Sequence, residues 1–249
     1  MLKEYNMKKI EMPHYTEYWF SEEPFYYGYQ SKAGNHSYRS FEDFTYDEKR
    51  ASILRHEKYV KEKKHYVRRI VDMNATVRTS FLTLTFSDNK QDLRVAHKEM
   101  DIFFKKLRRH LKNIPLKYIW VWELQKRGAI HYHVLLFDVP FIPIEKLRTM
   151  WPHGFIKINN LKEVIGTANI GRYIVKYFEK SFNENTRNIR SFACSRNLKK
   201  PAEEKIFCDD IELKVLKKKL DESGCYNTRY NAVISSGGYS EVKYYYLPK

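Results

Sequence analysis

A chain of 249 residues is long enough for one large domain or two small ones, and it can bury a core of its own. Its 46 Lys and Arg against 30 Asp and Glu give a formal net charge of +16, which points to a polyanionic partner because neutralised phosphates release condensed counterions; 16% aromatic residues argue against a disordered tail. Three widely spaced cysteines (Cys194, Cys208, Cys225) form no CxxC pair and argue against a thiolate zinc site or a disulfide framework. The first residues contain no apolar signal region and no run is long enough to span a bilayer, so the expectation is a reduced, cytoplasmic protein with no membrane partner.

In chain order, the stretch to about residue 45 is aromatic and polar with little periodicity and reads as a loosely structured arm or irregular cap. Residues 46–73 are highly charged, rich in helix formers and free of Pro and Gly, which predicts a helix. Its Arg and Lys residues either lie along a DNA backbone or form a solvated face. FLTLTF (81–86) alternates Thr83 and Thr85 with apolar residues and predicts a strand. Over 92–112 the apolar residues step by three and four, the pattern of an amphipathic helix packed on a sheet.

YIWVWEL (118–124) and IHYHVLLF (130–137) predict two further strands joined by a loop that contains Gly128. A short helix over 145–150, a turn and strand in WPHGFIKI, and a helix from about 166 to 180 follow. The remainder is less regular, with a charged helix near 209–220 and strands near 226–234 and 241–247. The order of elements implies an α+β fold, with helices against an antiparallel sheet. The expected division is an N-terminal arm and basic helix (1–75), a core (76–195) and a C-terminal extension packed on the core (196–249). No GxxxxGK[ST] phosphate loop is found, so strand unwinding is expected from another protein.

Chemistry concentrates in two places. His131 and His133 lie two apart on a strand and therefore project to one face. If the preceding strand pairs so that Glu123 opposes His131, residues 125–129 become a five-residue loop and the carboxylate joins both imidazoles on that face. A slip of one residue turns it away. Two imidazoles and a carboxylate suit a divalent ion doing Lewis-acid work, Mg²⁺ or Mn²⁺ on a phosphodiester. Downstream, Tyr173 and Tyr177 are neighbours on one helix face, each followed three residues later by a lysine, Lys176 and Lys180. Ile170, Ile174 and Phe178 form a separate apolar stripe that can bury this helix. A phenol needs nearby positive charge or a polarised phosphate before it can attack, and the lysines can supply the former.

Three segments in this order resemble the HUH rolling-circle replication initiators of single-stranded DNA phages and plasmids: Phe81–Phe86, Glu123–His133 and Tyr173–Lys180. The resemblance covers less than half the chain. It implies an HUH endonuclease core, an RRM-like or ferredoxin-like sheet with flanking helices. It also implies a metal held by His131, His133 and Glu123, and attack by a tyrosine that leaves a 5′-phosphotyrosine link and a free 3′-OH. Tyr177 is ranked before Tyr173 as nucleophile, and whether both act is open. Arg127, Arg172, Arg68 and Arg69 are candidates to track phosphates. The implied partners are single-stranded or hairpin origin DNA, a helicase and a polymerase in a bacterial host cell. An HUH-type transposase and a non-catalytic origin-binding repressor on the same fold are the alternative readings.

Overall fold

The computed structural model describes residues 3–28, 41–125, 127–160, 170–179, 189–233 and 239–249. The fold is α+β, with two antiparallel five-stranded sheets and flanking helices. The chain divides into two compact units, Thr45–Lys200 and a second one made from Met1–Phe44 together with Pro201–Lys249. This division differs from the one expected at residues 75 and 195: the basic helix belongs with the central sheet, and the two ends of the chain share a sheet.

The unit Thr45–Lys200 begins with helix α1 (Tyr46–Asn74), started by a capping box in which Thr45 accepts from the Glu48 N–H while the Glu48 carboxylate accepts from the Thr45 N–H. Strand β3 (Ser80–Thr85), helix α2 (Leu93–Leu111), strands β4 (Lys117–Leu124) and β5 (Ile130–Phe137), helix α3 (Ile144–Met150), strand β6 (Ile156–Asn160), helix α4 (Ile170–Glu179) and strand β7 (Phe192–Cys194) follow. The sheet order is β6-β3-β5-β4-β7. Residues 166–169 and Lys180, also expected in the α4 helix, lie outside the described residues.

Side-chain alternation divides the sheet into two faces, each with its own core. Leu82, Leu84, Trp120, Trp122, Tyr132, Val134 and Leu136 pack under α2 and α3. Phe81, Ile119, Val121, Leu135 and Phe137 face the other way and meet Val67, Ile70 and Val71 of α1 and Ile170 and Ile174 of α4. At Gly171 the two helices touch closely: an added Cβ would lie 2.8 Å from the Arg68 carbonyl oxygen and 2.1 Å from the Asp72 carboxylate. The glycine lets α4 settle on α1, which fixes where the α4 tyrosines stand.

In the other unit the sequence expectation is corrected. The segment read as a loose arm forms two long strands, β1 (Lys3–Glu11) and β2 (Tyr15–Tyr27). They join β8 (Ala202–Ile206), β9 (Tyr226–Val233) and β10 (Tyr239–Pro248) in the order β8-β1-β2-β10-β9. Helix α5 (Asp210–Glu222) covers one face through Leu213 and Leu220 against Met7, Phe20 and Tyr245. The strands were hard to read because β2 pairs with β10, more than 200 residues away in the chain, and β1 shifts register between Tyr5 and Met7. Their aromatic content is what β-structure favours, but the apolar alternation that reveals a strand is broken.

Candidate active site

The β4–β5 hairpin adopts the register that the carboxylate position requires: Glu123 pairs with His131 and Val121 with His133. The turn is closed by the Gln125 N–H donating to the Ala129 carbonyl at 2.9 Å, with Gly128 at φ +83°, a conformation natural only to glycine. Lys126 within this turn lies outside the described residues. As a result Glu123, His131 and His133 each present a ligand atom, and these atoms lie within 4.8 Å of one another. The His133 Nε2 is 3.1 Å from Glu123 Oε1, and the His131 Nδ1 is 3.9 Å from the same oxygen.

Neighbouring polar groups orient both rings. The Thr83 hydroxyl lies 3.4 Å from His133 Nδ1, directly across the β3–β5 pairing. When the ring proton resides on Nδ1 it donates to Thr83 and leaves the Nε2 lone pair directed at the Glu123 side. That tautomer is the one a metal ligand needs. On His131, the Gln125 amide nitrogen stands 3.1 Å from Nε2. Gln125 is in turn held by Arg127, whose Nε donates to Gln125 Oε1 at 3.2 Å while its Nη2 donates to the Phe86 carbonyl at 3.1 Å. Arg127, expected along the DNA backbone, thus braces a histidine through Gln125. Neither Gln125 nor Thr83 was singled out as a site residue from sequence. The only signal for them was Thr83 on the same alternation as Phe81 and the position of Gln125 two residues beyond Glu123.

Donor chemistry fits a divalent ion: two imidazole nitrogens and one carboxylate oxygen, gathered on one face of rigid strands. The three side chains do not specify which ion.

Helix α4 brings its tyrosines to this place. The Tyr177 ring stacks on the His133 ring, with centroids 3.7 Å apart and planes 28° from parallel. Its hydroxyl donates to the Tyr173 hydroxyl at 2.7 Å. Phe81 supports the cluster, 5.5 Å from His133, 5.4 Å from Tyr173 and 6.0 Å from Tyr177 by ring centroids. Burial holds the Tyr177 phenol well above its ordinary pKa; the hydrogen bond and proximity of Tyr173, and the Glu123 charge, push it further in the same direction. Lys176 is exposed on the same helix, as is Arg172. Arg68 and Arg69 are half-buried on α1. Lys180 lies outside the described residues.

Known proteins show related sequences over this region. A family model described as "Replication-associated protein ORF2" matches residues 79–182, which contain β3, the Glu/His/His group and both tyrosines. The "Phasyl DNA replicon protein arp" of Escherichia coli is 27% identical over 149 residues, 50% of this chain. The chain spans about half the length of that relative, 51%. No solved structure matches the chain. Together the two likenesses support a replication initiator.

Proposed function

We propose that this protein initiates DNA replication by nicking one strand of origin DNA through a tyrosine, as an endonuclease of the HUH class. One observation carries the reading: the candidate nucleophile stacks at 3.7 Å on a candidate metal ligand, so two motifs some 40 residues apart in sequence share one site.

His131, His133 and Glu123 hold the ion, Mg²⁺ or Mn²⁺. When bound, it supplies Lewis-acid polarisation of the phosphodiester. Thr83 and the Gln125–Arg127 pair keep the two imidazoles aimed. Tyr177 is the first-ranked nucleophile, since its ring lies on His133, and Tyr173 is placed to accept its hydroxyl proton's hydrogen bond. In the cut, the tyrosine oxygen forms a bond to phosphorus and the bond from phosphorus to the 3′ oxygen breaks. The phenol gives up its proton and the leaving oxygen gains one, which yields a 5′-phosphotyrosine link and a free 3′-OH. Bond energy is kept in the linkage, so the strand is rejoined by the reverse attack without ATP. Lys176 and Lys180 offset negative charge on the phosphate as the bond order changes. The proposed partners are single-stranded or hairpin origin DNA, with a helicase and a polymerase of the host.

The test is incubation of the whole protein with Mn²⁺ and labelled single-stranded origin DNA, followed by a denaturing gel. The expected result is label that migrates with the protein, lost in Tyr177→Phe or in the Tyr173→Phe/Tyr177→Phe double variant. Cleavage without an adduct, or cleavage by the double variant, rejects the tyrosine mechanism. DNA binding with no cleavage by the wild type favours a non-catalytic origin-binding protein.

A further inference from the structure

The face of the sheet that carries the candidate site does not end at β5. Pairing continues through β3 to β6, and the register places two rows of residues side by side. Lys157 pairs with Thr83, which pairs with His133. Leu84 pairs with Ile156, and one residue further Phe155 meets Thr85, which pairs with His131. Ile156 is buried in the core beneath α2 and α3, so alternation turns its two neighbours, Phe155 and Lys157, to the opposite face, the one with the histidines. Both are exposed; Phe155 shows 64% of its surface to solvent.

A lone exposed phenylalanine is ordinary, but this one is held rigidly. Thr85 N–H and the Thr85 hydroxyl both donate to the Phe155 carbonyl, at 3.0 and 3.1 Å, and the Phe155 N–H donates to the Thr85 hydroxyl at 3.0 Å. One turn earlier, Ser87 N–H and Ser87 Oγ donate to the His153 carbonyl, and the Trp151 indole donates to the Thr85 carbonyl. His153 Nε2 lies 3.0 Å from the Glu99 carboxylate. Gly154 permits the docking, since an added Cβ would come within 2.5 Å of Thr85 O and 2.6 Å of Ser87 N, both backbone atoms. The fold thus invests a set of hydrogen bonds in presenting an apolar ring to water.

We propose that Phe155 and Lys157 form the subsite for a nucleotide flanking the cut: the base stacks on the Phe155 ring and a phosphate lies against the Lys157 ammonium. The proposal rests on the reading of this face as a site for single-stranded DNA. β6 lies two strand spacings from β5, about 10 Å, which a short stretch of single strand leaving the histidines spans. Charge agrees, because residues 45–200 hold 33 Lys and Arg against 15 Asp and Glu. Stacking on a fixed aromatic ring tolerates any base, and the ring contributes affinity without a sequence code.

The experiment uses the whole protein in EDTA, with fluorescence anisotropy on two probes of about 16 nucleotides: oligothymidylate, and a strand of the same length and phosphate number made of abasic units. Phe155→Ala is expected to weaken the oligothymidylate about 5- to 100-fold and leave the abasic strand within twofold, while Phe155→Trp retains binding of both. Lys157→Gln weakens both and lowers the salt slope by about 0.7. Equal effects of Phe155→Ala on the two strands, or none on either, overturn the subsite. Because the probe is binding without metal, failure here is separable from failure of nicking. A wild type that forms the covalent adduct while Phe155→Ala binds normally rejects the subsite alone. A wild type that stacks thymine on Phe155 and forms no adduct rejects the nicking mechanism alone.

Discussion

At the scale of single residues, the site depends on polar neighbours as much as on the three ligand candidates. His133 would present Nε2 to an ion only while Nδ1–H has an acceptor, and the Thr83 hydroxyl at 3.4 Å is placed to be that acceptor. Removing such an orienting partner commonly costs 10- to 100-fold in metal affinity. Thr83→Val keeps the shape and deletes the hydroxyl, so it is expected to weaken Mn²⁺ binding by about tenfold, measured by titration calorimetry without DNA. His131→Ala and Glu123→Ala should each abolish measurable binding, with an unchanged circular dichroism spectrum. If Thr83→Val binds Mn²⁺ as tightly as wild type, the hydroxyl does not orient the ring. Much of this site was legible in advance: alternation put His131 and His133 on one face, and the one register that adds Glu123 is the register found. Gln125, Thr83 and the bracing role of Arg127 were not legible, because hydrogen bonds between a loop amide, a guanidinium and a distant strand leave no periodic trace in a sequence.

At the scale of elements, helix α2 is docked through a histidine that works only when neutral. His97 Nδ1 lies 2.6 Å from the Tyr132 hydroxyl and Nε2 lies 3.0 Å from the Arg190 carbonyl. Burial pushes the Tyr132 phenol far above its ordinary pKa, so it remains a donor. The arrangement is satisfied when Tyr132 O–H donates to a bare Nδ1 and Nε2–H donates to Arg190. Protonating Nδ1 sets two donors against each other. Burial accordingly lowers the His97 pKa, with the Arg190 carbonyl opposing the shift. The folded protein thus holds this proton more weakly than the unfolded chain, so its contribution is complete above about pH 6.5 and is lost as pH falls below that value toward the depressed folded pKa. Urea midpoints between pH 7.5 and 5 should therefore decline, and His97→Gln should flatten that decline; an unchanged slope in the variant would assign the pH effect elsewhere. α2 itself was readable from its spacing of apolar residues, and its N-cap Asp92 and boundaries follow closely. β1 and β2 were not, since their partners lie at the far end of the chain and their aromatic residues are interleaved with charges. Strand pairing over such separations is a tertiary property, which local pattern does not encode.

At the scale of the molecule, the charge is divided unevenly. Residues 45–200 carry a net +18, whereas residues 1–44 and 201–249 together hold 13 Lys and Arg against 15 Asp and Glu, a net −2. The excess that suggests a polyanionic partner therefore belongs wholly to the unit with the Glu/His/His group and the tyrosines. Phosphate contacts contribute to the salt dependence one by one, with a slope of about 0.7 per contact on single strands. If DNA is held by the basic unit alone, neutralising exposed lysines there and in the other unit should have unlike effects. Lys176→Gln on α4 is expected to weaken single-strand binding and lower the slope of log affinity against log salt by about 0.7. Lys214→Gln with Lys218→Gln on α5 removes twice the charge and should leave that slope unchanged. A slope that falls equally in both variants would mean that binding follows net charge and not the location of the site. The bulk value of +16 could not have separated these outcomes, because it averages over two units of opposite sign.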